Sequence, residues 1–450
     1  MKINLKHVSL FTVFILILTL SLSGAYGSAN TVSVISYKMD AVAASIPTDC
    51  GVTVSHENSK NNAIQLALNA AAEGKIWPRI VCVGPGIYPE QLSITSAGGI
   101  SLVGLGSSGN PAIIEPSSVV VNNYLAPTPP FFFSPLEQAA IIVAGSLGSG
   151  KTLEDINIEN LVIDGAAASS SMDKYPACSS YAGIDYTGAS GSILNNIVRN
   201  MYPSPQTASA DTKAGCGTGQ GIDVDINNNV YTETVLISNN RLPNYSDGGV
   251  WCFHAGVTCT ITNNDASPYA AYSSLSYSPG GVEITTGASA TVAMNTISGN
   301  ICTRSTAPVC GPNLILQIQG AGVWVIGAAA GTVITDNTFT DNDVAIFAWG
   351  GSVGLFILTN TISDCTYAAI VAYDGVGTYN IAGNSLSDSP IGIVVICDQV
   401  PSFTANLLPP YSFDDILHHV KIMTFTPGEV VVYFRGHTYT ISGTQTVYLS

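Results

Sequence analysis

The sequence predicts an all-β fold, a parallel β-helix, and three observations carry that prediction. The first is a repeat. NLVIDG (160–165), NIVRN (196–200), NTISGN (295–300), NTFTDN (337–342), NTISDC (360–365) and NSLSDS (384–389) each run Asn, one residue, an apolar residue, then a polar turn; weaker copies sit at Asn240 and Asn264. The leading Asn residues are spaced by 36, 44, 24, 31, 42, 23 and 24, a basic period of 23–24 lengthened by insertions. The second is a companion series: GIDYT (183–187), GIDVD (221–225), GVWCF (249–253), GVEIT (281–285), GVWVI (322–326), AIFAW (345–349), AIVAY (369–373) and GIVVI (392–396). A small lead residue followed by period-2 alternation is the pattern of a half-buried strand. The third is that no repeat contains a convincing helix. Short strands at a fixed period suit coils that each bury their inward side chains on the coil beneath. Asn before a strand fits a tight turn, because it tolerates left-handed backbone and bonds locally, and equivalent Asn residues can stack as an amide ladder.

The elements follow in chain order. Lys2 and Lys6 precede an uncharged apolar run, Val8–Ser23, and small residues at Gly24, Ala25 and Gly27. This is the layout of a secretory signal over 1–27, with cleavage near Gly27, and it predicts a secreted or cell-surface protein. No other stretch is long and apolar enough to span a bilayer, so no membrane span is expected once the signal is removed. Residues 28–400 form the predicted β-helix domain. Asn61–Glu73 is the one good helical stretch near its start, placed to cover the open edge of the first coil. A proline-rich stretch over about 110–135, with the Phe131–Phe133 run, reads as an insertion loop on an early coil. VPSFTANLLPPYSF (400–413) breaks the repeat, and 401–450 reads as a C-terminal cap or small β module. Ten cysteines in a secreted chain suggest disulfides. Cys252–Cys259 and Cys302–Cys310 are close enough to be local staples, and Cys50 and Cys82 could tie the N-terminal cap to the body.

IIVAGSLGSGKT (141–152) matches the nucleotide-binding P-loop pattern, and LVID (161–164) mimics the strand that holds magnesium. A P-loop needs a helix after Lys-Ser/Thr to receive phosphate on its N-terminus. TLEDINIENLVIDG follows instead and alternates like a strand, so Gly145–Gly150 reads as a Gly/Ser turn and no nucleotide is expected. The chain carries 14 Lys or Arg against 30 Asp or Glu, a net charge of −16, which argues against nucleic acid. Asn244-Tyr245-Ser246 is the single acceptor sequence of the standard N-glycosylation pattern.

AIQLALNAAAEGK, VCVGPGIYPEQLSIT and GISLVGLGS (63–107) resemble the start of pectinesterase-like chains, and the repeats resemble those of the pectin-lyase-like superfamily, NosD-type proteins included. The resemblance spans roughly residues 58–400. It implies a right-handed, single-stranded parallel β-helix. It implies little about activity, since that fold hosts lyases, hydrolases, esterases and adhesins. GIDVD (221–225) followed by SDGGVWCF (246–253) resembles the polygalacturonase order of an Asp-bearing strand and an Asp-Asp strand, with Gly248 in place of the second aspartate. The later Gly-His-Gly and Arg-x-Lys elements are missing, as are the pectinesterase Gln, Asp and Arg motifs.

Equivalent positions on successive coils stack about 4.8 Å apart. The outward positions of the companion series are then Asp185 and Thr187, Asp223 and Asp225, Trp251 and Phe253, Glu283 and Thr285, Trp324 and Ile326, Phe347 and Trp349, Val371 and Tyr373. This series gathers three of the four tryptophans with acids at one end. Aromatic faces stack on sugar rings, and carboxylates bond hydroxyls or do acid/base work. The expected substrate-binding residues are Asp185, Trp251, Phe253, Trp324, Trp349 and Tyr373. The expected catalytic residues are Asp223 and Glu283, two coils apart, with Asp225, Asp247 and His254 around them; such a carboxylate pair suits inverting glycoside hydrolysis. No cofactor is implied beyond the Ca2+ that the neighbouring Asp185 and Asp223 could hold. The expected partner is a polysaccharide or cell-surface glycan. Three alternatives stand beside this reading: that insertions cover the face, that the register is drawn otherwise, and that the protein is a non-catalytic surface or adhesion rod. Because the residues point outward, substitution of Asp223 or Glu283 is expected to change stability little.

Overall fold

In the computed structural model the described residues are 49–56, 62–118, 137–145, 151–168, 179–202, 218–225, 232–268, 279–302, 310–311, 317, 319–349, 354–373, 379–390 and 392–397, together with the backbone of five later strands between 403 and 449. They belong to one unit, Ile46–Ser450. The predicted signal over 1–27 lies outside the described residues, and no helix among them is long and apolar enough to cross a membrane.

The chain winds as a right-handed parallel β-helix with three sheets of 12, 12 and 10 strands. One coil shows the path. Glu233–Ser238 lies in sheet I, Arg241–Tyr245 in sheet III and Gly248–Phe253 in sheet II; Val257–Thr262 then begins the next coil in sheet I. Parallel pairing keeps the phase of alternation constant from coil to coil, so identical positions form columns. In sheet I, Ile158, Ile193, Ile237, Ile261, Val292, Ile334, Ile357 and Ile381 lie in register and are fully buried. In sheet II the same holds for Ile142, Ile184, Ile222, Val250, Val282, Val323, Ile346 and Ile370. Each such side chain contributes about 1.5–3 kcal/mol of burial.

The small lead residues of the companion series have a steric cause. They sit where sheet II meets sheet III inside the coil. A Cβ on Gly183 would stand 2.2 Å from Val198, and one on Gly281 2.3 Å from Ile297 and 2.6 Å from the Gly322 carbonyl of the next coil.

The Asn residues do form a ladder, one residue away from where the first repeat suggests. Asn196, Asn240, Asn264, Asn295, Asn337, Asn360 and Asn384 stack, each Nδ2 donating to the Oδ1 of the next. Each Nδ2 also donates to a sheet I carbonyl of the coil beneath. Leu161, not Asn160, occupies the corresponding place in the first copy, because Val162 pairs with Ile197. Nor are the ladder residues left-handed. Positive φ belongs to the residue before each one: Asn195, Asn239, Asn263, Met294, Asp336, Thr359 and Gly383. That variety shows that the amide ladder, not turn geometry, fixes the Asn column.

The N-terminal helix spans Ala63–Ala72 and buries Ile64, Ala67, Leu68 and Ala71. Glu90 accepts its Ile64 and Gln65 amide protons at 3.2 and 3.1 Å, replacing a local cap. Cys50–Cys82, Cys252–Cys259 and Cys302–Cys310 are disulfides. Two boundaries differ from the sequence reading. Ala112–Ile114, inside the expected insertion, is a sheet III strand paired with Gly86–Tyr88 and Val162–Asp164; from 119 the insertion lies outside the described residues. Parallel pairing also continues past residue 400. Phe403–Asn406 extends sheet I and Val420–Thr424 extends sheet II, and antiparallel pairing begins only with Glu429–Phe434, His437–Ser442 and Thr446–Leu449. After Lys151-Thr152 comes the strand Leu153–Glu159, so no helix receives phosphate there.

Candidate functional site

Sheet II brings the candidate residues together. Val143, Asp185, Asp223, Trp251, Glu283, Trp324, Phe347 and Val371 pair in one register and form a single outward column. Thr187 pairs with Asp225 one step along, and Phe253, Thr285, Ile326, Trp349 and Tyr373 continue that second column. The Tyr373 side chain lies outside the described residues.

The column is not the open aromatic surface that alternation alone suggests. Trp251, Phe253, Glu283 and Trp349 are half-buried, while Asp185, Asp223, Trp324 and Phe347 are buried, Asp223 to 1 % exposure and Trp324 to 8 %. Alternation says which side of a sheet a residue takes; it says nothing of what lies over that side. Outward direction therefore gives no ground for expecting that substituting Asp223 costs little stability, since the side chain is buried. From Trp324 onward the outward residues make an apolar cluster separate from the core, with Ala321, Val344, Phe347, Ala368, Val371 and Val394 buried and Ile326 and Trp349 against it. The Trp324 and Phe347 rings lie 4.5 Å apart, and those of Trp251 and Phe253 4.8 Å. Gly248 and Gly280 make room for this layer. A Cβ at Gly248 would fall 1.8 Å from the Trp251 indole nitrogen, and one at Gly280 2.6 Å from Glu283 Oε1 and 2.9 Å from Trp324 Cδ1.

The acids interact. Thr187 Oγ1 donates to Asp185 Oδ1 at 2.7 Å. Burial pushes the Asp185 carboxyl up to about 7; the Thr187 hydroxyl opposes that rise and Asp225 adds to it. Burial holds Glu283 well above the usual carboxylate range, with Asp247 and Asp223 raising it further and the Trp251 indole opposing. Asp225 Oδ1 meets His254 Nδ1 at 2.7 Å, both side chains buried. His254 sits in the corner turn with φ 76°, a conformation rare outside glycine. Asp247 is buried just before the Trp251 strand. Among the described residues no group of three or more His, Cys, Asp or Glu side chains is placed to hold a metal ion.

One member of this cluster was missed from sequence. Glu233 opens the sheet I strand ETVLIS, in phase with the core residues Val235 and Ile237, and is fully buried. Its carboxylate accepts the Gly188 amide proton. Burial pushes it up to about 10, against that hydrogen bond and with Asp225, Asp185 and Asp223 adding to the rise. A carboxylate in the inward phase of an apolar strand is the signal that reveals it. Arg199 and Arg241 stand apart, on sheet III, and Arg304 lies outside the described residues. Arg199 Nε bonds Asp164 Oδ2 at 2.6 Å, and Arg241 lies 3.8 Å from Asp265. The glycosylation acceptor is built into the fold: Asn244 Nδ2 donates to Asn200 Oδ1, and Tyr245 and Ser246 are buried.

Residues 182–362 match the family model described as right handed beta helix region. No curated protein matches the chain. Similar solved structures include PfbA, a surface adhesin of Streptococcus pneumoniae, at 12% identity over 85% of this chain and 89% of that one, TM-score 0.46. DFA-IIIase from Arthrobacter chlorophenolicus A6 in complex with GF2 is 9% identical over 78% and 82%, TM-score 0.45. A hyperthermoactive exopolygalacturonase from Thermotoga maritima is 10% identical over 90% and 96%, TM-score 0.38.

Proposed function

We propose that this β-helix protein works outside the cell, where it binds a polysaccharide along the sheet II column and hydrolyses a glycosidic bond there. One observation carries the reading: Asp223 and Glu283 stand in register on either side of Trp251, where burial, Asp247 and Asp223 hold Glu283 well above the usual carboxylate range. Two strand steps separate their backbones by about 9–10 Å. Inverting glycosidases hold their carboxyl groups about 6.5–9.5 Å apart, which leaves room for water. Glu283 gives its proton to the leaving oxygen while Asp223 takes one from the attacking water. Trp251, half-buried between them, offers its ring to the sugar.

The test is turnover of a polysaccharide panel across pH 3–7, following reducing ends and unsaturated products. Glu283→Gln and Asp223→Asn keep the volume of the buried groups. New reducing ends that vanish in both variants, with the circular dichroism unchanged, support hydrolysis. Unsaturated products would replace it with elimination. Silence of the folded parent on every polymer would remove the catalytic claim. A second reading, a non-catalytic surface rod, has one observation in its favour: the aromatic end, Trp324 to Val394, is buried and packed like a core. Glycan binding lost in Trp251→Ala would count against that reading.

A further inference from the structure

We propose that the acid-lined stretch of this column takes a polysaccharide bearing free amino groups, an unacetylated hexosamine polymer, and rejects uronates. The inference rests on the reading of sheet II as a glycan site and names the class of glycan. The charged neighbours that act on Asp185, Glu233 and Glu283 among the described residues are all carboxylates: Asp225 on Asp185; Asp225, Asp185 and Asp223 on Glu233; Asp247 and Asp223 on Glu283. Arg199 and Arg241 pair with Asp164 and Asp265 on sheet III, and His254 is held by Asp225 in the corner turn. A uronate laid along it would bring a further anion to a place where burial and neighbouring acids already disfavour negative charge, whereas an ammonium group supplies the opposite charge that lets these acids ionise.

An independent feature points to a ligand at the same place. The Trp324 indole nitrogen is buried and has no hydrogen-bond partner among the described residues. Its ring edge and Glu283 Oε1 converge over Gly280, 2.9 and 2.6 Å from where a Cβ would stand. An N–H donor beside a carboxyl matches a hydroxyl and an amine on neighbouring carbons of one sugar. The half-buried rings of Trp251 and Phe253, on the coil before Glu283, can stack on the next sugar and attract its ammonium group.

Calorimetric binding to the full chain at pH 6 tests this, with glucosamine, N-acetylglucosamine and galacturonate oligomers of equal length. The amino oligomer should bind at least tenfold more tightly than the acetylated one and weaken in added salt, and the uronate should not bind. Gly280→Ala, which crowds the Glu283–Trp324 junction, should cut amino-oligomer affinity about tenfold with the fold intact. Equal or tighter binding of the acetylated or uronate oligomer overturns the amino-sugar assignment and leaves the glycan reading standing. Binding untouched by Gly280→Ala overturns it too, since the attraction would then belong to the chain's net charge of −16. No binding by any oligomer removes both.

Discussion

Two columns of polar side chains run along this molecule, and stacking treats them in opposite ways. The Asn column at the corner of sheets I and III repeats one residue from Asn196 to Asn384, and each member satisfies the next. An amide carries both donors and acceptors, so an identical copy one coil away is its complement. The outward column of sheet II stacks carboxyls in the stretch that includes Asp185 and Asp223. An ionised carboxyl only accepts, so its copy one coil away is a competitor, and burial raises the cost. The same translation that makes one column a spine makes the other a strained site.

The largest way to break the contrast is to open the spine. Asn295 Oδ1 accepts from the Asn264 backbone and side chain, and Asn295 Nδ2 donates to Asn337 Oδ1 and the Ile261 carbonyl. Asn295→Ala leaves the Asn264 backbone N–H unmet, at about 1–3 kcal/mol, and removes three further bonds at about 0.5–1.5 kcal/mol each, so a loss of about 3–7 kcal/mol is expected. Denaturant unfolding measures it; a loss below 1 kcal/mol would mean that the ladder is decoration. Asn295→Asp, which keeps the acceptors but brings a charge, should do no better.

Next in size is the aromatic end of the acid column. Trp324 is buried against Phe347 in the outer apolar cluster, and its truncation to Ala should cost about 3–5 kcal/mol. Trp251 is half-buried, and Trp251→Ala should cost clearly less while lowering glycan affinity more. Equal stability losses would show that the column is one structural unit with no functional part.

Asp185 sharpens the contrast in the opposite direction, because removing its charge should stabilise. Its carboxyl rises from an ordinary 3.8 to about 7 in the fold. Between those values the folded state keeps a proton that the unfolded chain has released, so stability falls as pH rises through that window. Asp185→Asn does not titrate, and its Oδ1 can still accept the Thr187 hydroxyl. The variant should match the parent near pH 4 and exceed it by about 2–4 kcal/mol at pH 8. A gap that narrows with rising pH would reverse the assignment.

How much of this was legible in the sequence follows from the same stacking. Constant phase made the sheet II columns readable: the pairing of Asp223, Trp251 and Glu283 needs only the alternation and the order of the coils. The ladder was readable as a period but slipped by one at its first copy, because Asn160-Leu161 and Asn195-Asn196 both present an Asn before the strand and only pairing separates them. Glu233 stands outside the outward series, because it shares the inward phase of Val235 and Ile237. Burial of Asp223 and Trp324 was legible only as the alternative that insertions cover the face, since alternation gives the side of the sheet and not what lies over it.

The smallest expected effect tests whether sheet III belongs to either column. Arg241 and Asp265 are both more than half exposed and 3.8 Å apart. Solvent screens such a pair, and Arg241→Ala should shift stability by no more than about 0.5 kcal/mol. Arg199 differs, although it sits on the same sheet. Its partner Asp164 is buried, and the same carboxylate also accepts from Asn200 and from the Ala166 amide. Arg199→Ala leaves that carboxylate without its cation and should cost on the order of 1–3 kcal/mol. If Arg241→Ala costs as much as Arg199→Ala, exposure does not separate the two arginines, and the outer face of sheet III works as a third connected column.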